Sequence, residues 1–348
     1  MRRSGNPRAG LATAAGIVFA LLLSEISLRP WAGQLYRYDV EPVTADRITA
    51  PIKTVRYYGE GIATSHFSPS RARLTGRAPL ANAPWIVIMG DSFVEGLQIN
   101  DSETMGAVVE RLAEASDPVN VRQYGWPGAS PPKYAMEGLN VLQLWNPRMV
   151  VVVAHANNFR TAALDTHWTK AEIRGSDFQI EPVTPDKLSL NARVWFALRH
   201  SALFEIATSR FVLDVLPKIP DLLTFRSAAA AGQRTETPKD SEIPPRMVKL
   251  LRETYGDRLF LVYAAEPTLT STQPEPEETE TLLQCRRQSV SCVSTGPFLR
   301  DALTSLRYFG SGFPNTAPET GHYNASGHQL VGELIWSEYR SRTAGAAH

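Results

Sequence analysis

Four short stretches hold residue types that can do chemistry together: Gly90-Asp91-Ser92, Gly125-Trp126-Pro127-Gly128, His155-Ala156-Asn157-Asn158 and Glu319-Thr320-Gly321-His322-Tyr323-Asn324. The chemistry they fit is acyl transfer through a serine. A hydroxyl is a poor nucleophile until a base takes its proton. Imidazole changes protonation near neutrality, so His322 is the candidate base for Ser92. Attack on a carbonyl places negative charge on its oxygen, and donors must already point there. The backbone N–H groups of Ser92 and Gly128 and the side-chain amide of Asn157 are the candidates. Such a base is oriented by a carboxylate on its other ring nitrogen. Glu319, three residues before His322, is the natural candidate for that third place.

These residues need a frame that brings distant segments to one edge. Trp85–Met89 is a short apolar run ending at Gly90, which reads as a buried strand feeding a turn. Val119–Tyr124, the aliphatic Met149–Val153, Arg258–Tyr263 and Val290–Val293 read as four more strands. Helical patterns lie between and after them: one capped at Asp101 or Ser102 with Met105, Val108, Val109 and Leu112 on one face, one from about 132 to 144, and a last from about 325 to 339. Alternating strand and helix predicts an α/β three-layer sandwich with a parallel, flavodoxin-like sheet. Sites in such sheets form at the carboxyl ends of the strands, where each of the first three motifs falls.

The rhythm breaks at about 160–245, read as a helical insertion. It holds an apolar stretch from 192 to 216 and a low-complexity piece from Ser227. A lid or membrane-facing hairpin and a mere helical decoration are both open. Residues 30–83, rich in Tyr, Arg and Pro, read as a juxtamembrane arm wrapping onto a hydrolase-like domain at 84–345.

Arg2, Arg3 and Arg8 precede an uncharged run from Ala9 to Ser24. A basic flank before an apolar run is the layout of a signal anchor, here residues 1–29, or of a cleaved secretion signal. The run's end fits a small-x-small cleavage site poorly, which favours the uncleaved anchor over secretion; a buried soluble helix is the third reading. Positive-inside logic then puts the remaining chain outside the cytoplasm. There Cys285 and Cys292 can form a disulfide, or be two buried thiols. Lys plus Arg is 36 against 35 for Asp plus Glu, a net charge of +1, which gives no reason to expect nucleic acid. No metal-ligand spacing, phosphate loop or dinucleotide fingerprint is present, so no cofactor is expected.

Taken together, the motifs resemble those of the SGNH, or GDSL-type, hydrolases. Gly90-Asp91-Ser92-Phe93, with Val94-Glu95-Gly96 after it, is similar to the family's first block, and Gly128 stands where its oxyanion glycine does. Its third block, Gly-x-Asn-Asp, reads here His155-Ala156-Asn157-Asn158, keeping the asparagine and replacing both flanks. Its last block, Asp-x-x-His, reads Glu319-Thr320-Gly321-His322, followed by the familiar Asn324 and Gly327. The resemblance implies a serine esterase acting through Ser92 and His322, with Glu319 as a longer third member or with a Ser-His dyad. Anchor and arm are similar to those of membrane-tethered bacterial members, which implies a catalytic domain on the periplasmic face.

Blander roles stand beside these. Ser92 could be only a helix N-cap, Asp91 a turn-former, and His328 a packed or solvent-facing helix residue. His155 could line the site or pack at a strand end, and Trp126 could shape a pocket or fill space. On function, the residues fit hydrolysis of an extracytoplasmic ester on a small molecule, lipid or glycan. They equally fit O-acyl transfer to an envelope polysaccharide, and the altered blocks leave a non-catalytic envelope protein on this fold open.

Overall fold

The structure, a computed structural model, describes residues 7–28, 53–57, 60–68, 70–160, 169–174, 177–182, 201, 203, 243–268, 273–305, 309–316 and 319–345. The described residues divide between two compact units. One contains helix α1 (Pro7–Leu28) with Ser201 and Leu203, and the other contains everything else.

Helix α1 presents Ile17, Val18, Phe19, Leu21, Leu22, Leu23 and Ile26 to its surroundings. Among the described residues no helix is long and apolar enough to cross a membrane. The expected membrane-spanning anchor is therefore not met by α1. Its uncharged run ends at Ser24, short of the roughly 20 residues a span requires. Glu25 follows and accepts hydrogen bonds from Ser201 Oγ (2.8 Å) and Leu203 N (3.1 Å).

The second unit is built on five parallel strands: β3 (Trp85–Gly90), β4 (Asn120–Gly125), β5 (Met149–Ala154), β8 (Leu259–Tyr263) and β9 (Ser291–Ser294). Their order, β4-β3-β5-β8-β9, is the flavodoxin-like 2-1-3-4-5 arrangement. Strand β5, wholly buried, is the most aliphatic of them because it is central and covered on both faces.

Alternation along the strands divides the core. Ile86, Ile88, Met149, Val151, Val153, Phe260 and Val262 face α3 (Met105–Ala113) and α9 (Ala325–Gly345) through Val109, Val331, Ile335 and Trp336. Leu299 of α8 (Gly296–Thr304) joins the same cluster. Ala154 and Tyr263 face the other way, toward Ile243 and Met247 of α6 (Ile243–Tyr255). There α6 packs between α4 (Pro131–Trp145) and α7 (Pro276–Arg287). These are the three layers that the alternation predicts.

Three local expectations change. The cap of α3 is Thr104, whose hydroxyl accepts from Ala107 N (3.2 Å). Asp101 is engaged elsewhere, by Arg73 Nε (2.9 Å) and His66. The insertion is not purely helical: β6 (Thr169–Arg174) and β7 (Asp177–Pro182) form an antiparallel hairpin. Its period-two pattern sets Ala171 opposite Ile180 and Ile173 opposite Phe178. Apart from Ser201 and Leu203, the apolar stretch 192–216 lies outside the described residues, as does the low-complexity segment.

The arm, third, contributes a hairpin of its own, β1 (Lys53–Tyr57) with β2 (Ala63–Phe67). Beyond it Arg73 bridges to Gln123 of β4. The Arg73 side chain is buried and donates to the carbonyls of Gly96 (3.1 Å), Glu95 (3.3 Å) and Ile99 (2.7 Å). It therefore clamps the arm to the loop that follows Ser92.

Cys285, in α7, and Cys292, in β9, are joined in a disulfide across a Cα–Cα distance of 6.1 Å. A bridge across a sequence separation of 7 closes a short loop, worth about 2 kcal/mol by the chain-entropy account. The double variant Cys285→Ser/Cys292→Ser is expected to lose about that much stability in urea unfolding, and an unchanged midpoint would contradict it.

Candidate active site

Ser92 is the first residue of α2 (Ser92–Glu95), directly after β3. Asp91 caps this turn: its Oδ1 accepts from Phe93 N (3.0 Å) and its carbonyl from Glu95 N (2.9 Å). The short helix thus projects Ser92 from the carboxyl edge of the sheet, with its own N–H among the donors a helix start leaves unpaired.

His322 arrives from the other end of the chain, just before α9. Its Nε2 lies 2.8 Å from Ser92 Oγ, and its Nδ1 lies 2.7 Å from Glu60 Oε2. The same oxygen accepts from His322 N (3.1 Å). The imidazole side chain is 25% exposed and the carboxylate 7%, so the base is partly open to solvent while the acid is buried.

The carboxylate on His322 is thus Glu60 and not Glu319. Two features explain the exchange. Glu319 sits in the left-handed region (φ 66°) and lines a small recess with Pro267, Leu299, Leu303 and Phe309. Gly321, also left-handed (φ 78°), leaves open the space Glu60 fills: a Cβ there would come within 2.6 Å of Glu60 Oε2. Glu60 is held in turn by its neighbour, since Gly61 N donates to Asn315 Oδ1 (2.7 Å).

The other expected residues stand at the same edge. Gly128, after β4, has φ 69°, a conformation that favours glycine. Asn157 lies in α5 (Ala156–Arg160), after β5. Both are exposed, whereas their chain neighbours Ala129 and Asn158 are buried. Trp126 is buried, stacked with Tyr124 and Tyr134, and fills space rather than lining a pocket.

Behind Ser92 lies a second ionised group of residues that the motifs did not reveal. His155 is bonded through Nε2 to Asp91 Oδ2 (2.7 Å) and through Nδ1 to Glu266 Oε1 (2.7 Å). Burial alone would push the His155 imidazole down. The Asp91 and Glu266 carboxylates outweigh it and raise the group to about 10. Burial would likewise raise the Asp91 carboxyl, but His155 and the bonds from Asn158 and Phe93 hold it below its usual value. The Phe93 ring packs between the two imidazoles, 4.7 Å from His155 and 5.2 Å from His322.

His328 is fully buried in α9 and accepts from Met105 N (3.2 Å). Burial first, then the nearby charges of Arg73 and His322, lower it to about 3. It packs rather than facing solvent.

These two histidines shape stability in opposite senses. The raised His155 contributes fully below its unfolded value of 6.5 and loses that contribution as pH climbs through about 10. The lowered His328 contributes above 6.5 and loses its part as pH falls toward about 3. The thermal midpoint is expected to peak near pH 6.5. A midpoint still rising between pH 7 and 10 would contradict the His155 assignment.

No family model matches the sequence, and no curated protein matches it. Among solved structures the chain is similar to a two-domain esterase active on acetylated mannans, at 12% identity and a TM-score of 0.41, with 73% of this chain aligned to 48% of that one. The chain thus spans about half the length of that protein. It is also similar to a lipase/acylhydrolase from Enterococcus faecalis, at 13% identity and a TM-score of 0.38, with 74% and 96% of the two chains covered. A catalytic mutant of an acetylxylan esterase from Geobacillus stearothermophilus matches at 11% identity and a TM-score of 0.39, with coverage of 75% and 96%. The functional reading is carried by the site itself: serine, imidazole and carboxylate in one hydrogen-bonded line at the carboxyl edge of a parallel sheet.

Proposed function

We propose that this chain is a serine ester hydrolase of the SGNH type, with Ser92 as nucleophile, His322 as base and Glu60 as the acid that orients it. The observation that carries this reading is the unbroken line from Ser92 Oγ through His322 to Glu60, with contacts of 2.8 and 2.7 Å. Ser92 Oγ attacks the ester carbonyl while His322 Nε2 takes its proton. Glu60 keeps the Nδ1 proton in place and balances the imidazolium. The tetrahedral oxyanion is received by the N–H groups of Ser92 and Gly128 and by the Asn157 amide. His322 returns its proton to the departing alkoxide, leaving an acyl group on Ser92. Water, deprotonated by the same imidazole, then releases the acid.

Location outside the cytoplasm fits this reading, and the Cys285–Cys292 disulfide supports it, because such bridges persist in oxidising compartments. Esters carried on glycans or lipids of the cell envelope are the substrates this location offers. The test is covalent labelling. The wild-type chain is expected to react with a fluorophosphonate and to hydrolyse p-nitrophenyl acetate, and Ser92→Ala to do neither. A wild-type chain inert to both would overturn the assignment.

A further inference from the structure

Each of the three oxyanion donors has an immediate chain neighbour tied into one buried network. Asp91 precedes Ser92, Ala129 follows Gly128, and Asn158 follows Asn157. Asn158 is the hub. Its Nδ2 donates to Asp91 Oδ2 (2.9 Å) and to the Ala129 carbonyl (2.8 Å), and its Oδ1 accepts from His155 N (2.8 Å). His155 adds the bond to Asp91 and reaches outward to Glu266. Asp91, Ala129, His155 and Asn158 are all buried. The network therefore joins the ends of β3, β4, β5 and β8 underneath the place where the oxyanion would form.

We infer that Asn158 and His155 are positioning residues that hold the oxyanion hole in register by fixing the chain neighbours of its three donors, with Glu266 holding His155 in turn. The inference rests on the ester-hydrolase reading above.

The chemistry of each side chain fits its place. Only an amide offers two donors and an acceptor on one planar group, which is what Asp91, Ala129 and His155 together require of residue 158. An aspartate there would accept but not donate, and would face Asp91 as a like charge. His155 meets a carboxylate at each ring nitrogen, and with both carboxylates ionised both nitrogens carry protons and the ring is an imidazolium. The groups facing it are Asp91 from the end of β3, Glu266 beyond β8, Asn158 of α5 and the Phe93 ring of α2. Its raised pKa agrees with that assignment.

A network that merely stabilised the fold would lower the melting temperature and leave turnover of the folded protein intact. A positioning network lowers kcat and leaves KM nearly unchanged, because the oxyanion exists only in the transition state. Kinetics of the full chain on p-nitrophenyl acetate, with the rate of fluorophosphonate labelling beside them, separate the two. Asn158→Asp, which keeps size and shape, is expected to lower kcat about 10²-fold, the loss typical of one misplaced oxyanion donor. KM is expected to stay within about threefold. His155→Ala is expected to match it. If His155→Ala does not fold, Asn158→Asp carries the test alone. A folded Asn158→Asp with wild-type kcat, or with a raised KM only, overturns the inference. A wild-type chain that neither labels nor turns over instead overturns the ester-hydrolase reading, so the two failures are distinct.

Discussion

His322→Ala is expected to lower kcat on a simple ester by about 10⁴–10⁶-fold, with KM little changed. The Ser92 hydroxyl has its proton acceptor in position, His322 Nε2 at 2.8 Å. Without it the hydroxyl must ionise unaided or give its proton to water. In the proposed mechanism the residue acts as base toward the nucleophile and as acid toward the leaving group, so both halves of the reaction would suffer. Ser92→Ala should fall to a similar floor, and the double variant no lower than either single one, since the two act as a unit. Strict additivity of the losses would show that they do not. Thermal melts should stay near wild type, because the imidazole is a quarter exposed and its removal opens little buried space.

The second expectation separates two glutamates. Glu60→Gln is predicted to lower kcat by about 10³–10⁴-fold, the scale seen when the orienting carboxylate of a triad loses its charge. Glu319→Ala is predicted to stay within about tenfold of wild type, the change being confined to the lining of a neighbouring recess. The amide that Glu60→Gln introduces would leave the contact in place but present a neutral partner to the imidazolium, or select the wrong tautomer. Its effect should therefore appear in kcat rather than KM. Equal losses in the two variants, or a larger loss at Glu319, would remove Glu60 from the mechanism.

The sequence reads well wherever a residue's role follows from its immediate surroundings. The aliphatic run Met149–Val153 announces a central strand because burial on both faces leaves no position for a polar side chain. Ser92 and His322 sit inside motifs whose flanks are themselves required: Asp91 to cap the turn, Gly321 to leave room beside the imidazole. Glu60 escapes because the requirement it meets is spatial. The bond it makes spans 262 positions of chain, and neither β1 nor β2 hints that the turn between them approaches the last helix. Proximity in sequence made Glu319 the natural choice, but the carboxylate bonded to Nδ1 is that of Glu60. Glu266 was missed for the same reason. Its partner His155 stands where the third block of the hydrolases that the motifs resemble has a glycine, and its meaning shows only when the neighbouring strand end is in view. The β6–β7 hairpin is a different kind of omission, a period-two pattern overlooked inside a segment read as helical.

The clamp that Arg73 makes on the loop after α2 has a bearing on how the molecule can be divided. A fragment beginning at Trp85 would keep the five parallel strands, the serine and the histidine. It would lose Glu60 and also the guanidinium that gathers the Glu95, Gly96 and Ile99 carbonyls. The shortest piece of chain able to hold all three members of the line starts upstream of β2, so the proposed catalytic unit begins well before the five-stranded sheet does. Cleavage anywhere between Glu60 and Trp85 that freed the upstream peptide would leave a serine–histidine pair without its counter-charge. On the proposed mechanism, the intactness of a segment outside the five-stranded sheet is as good a reporter of competence as the fold itself.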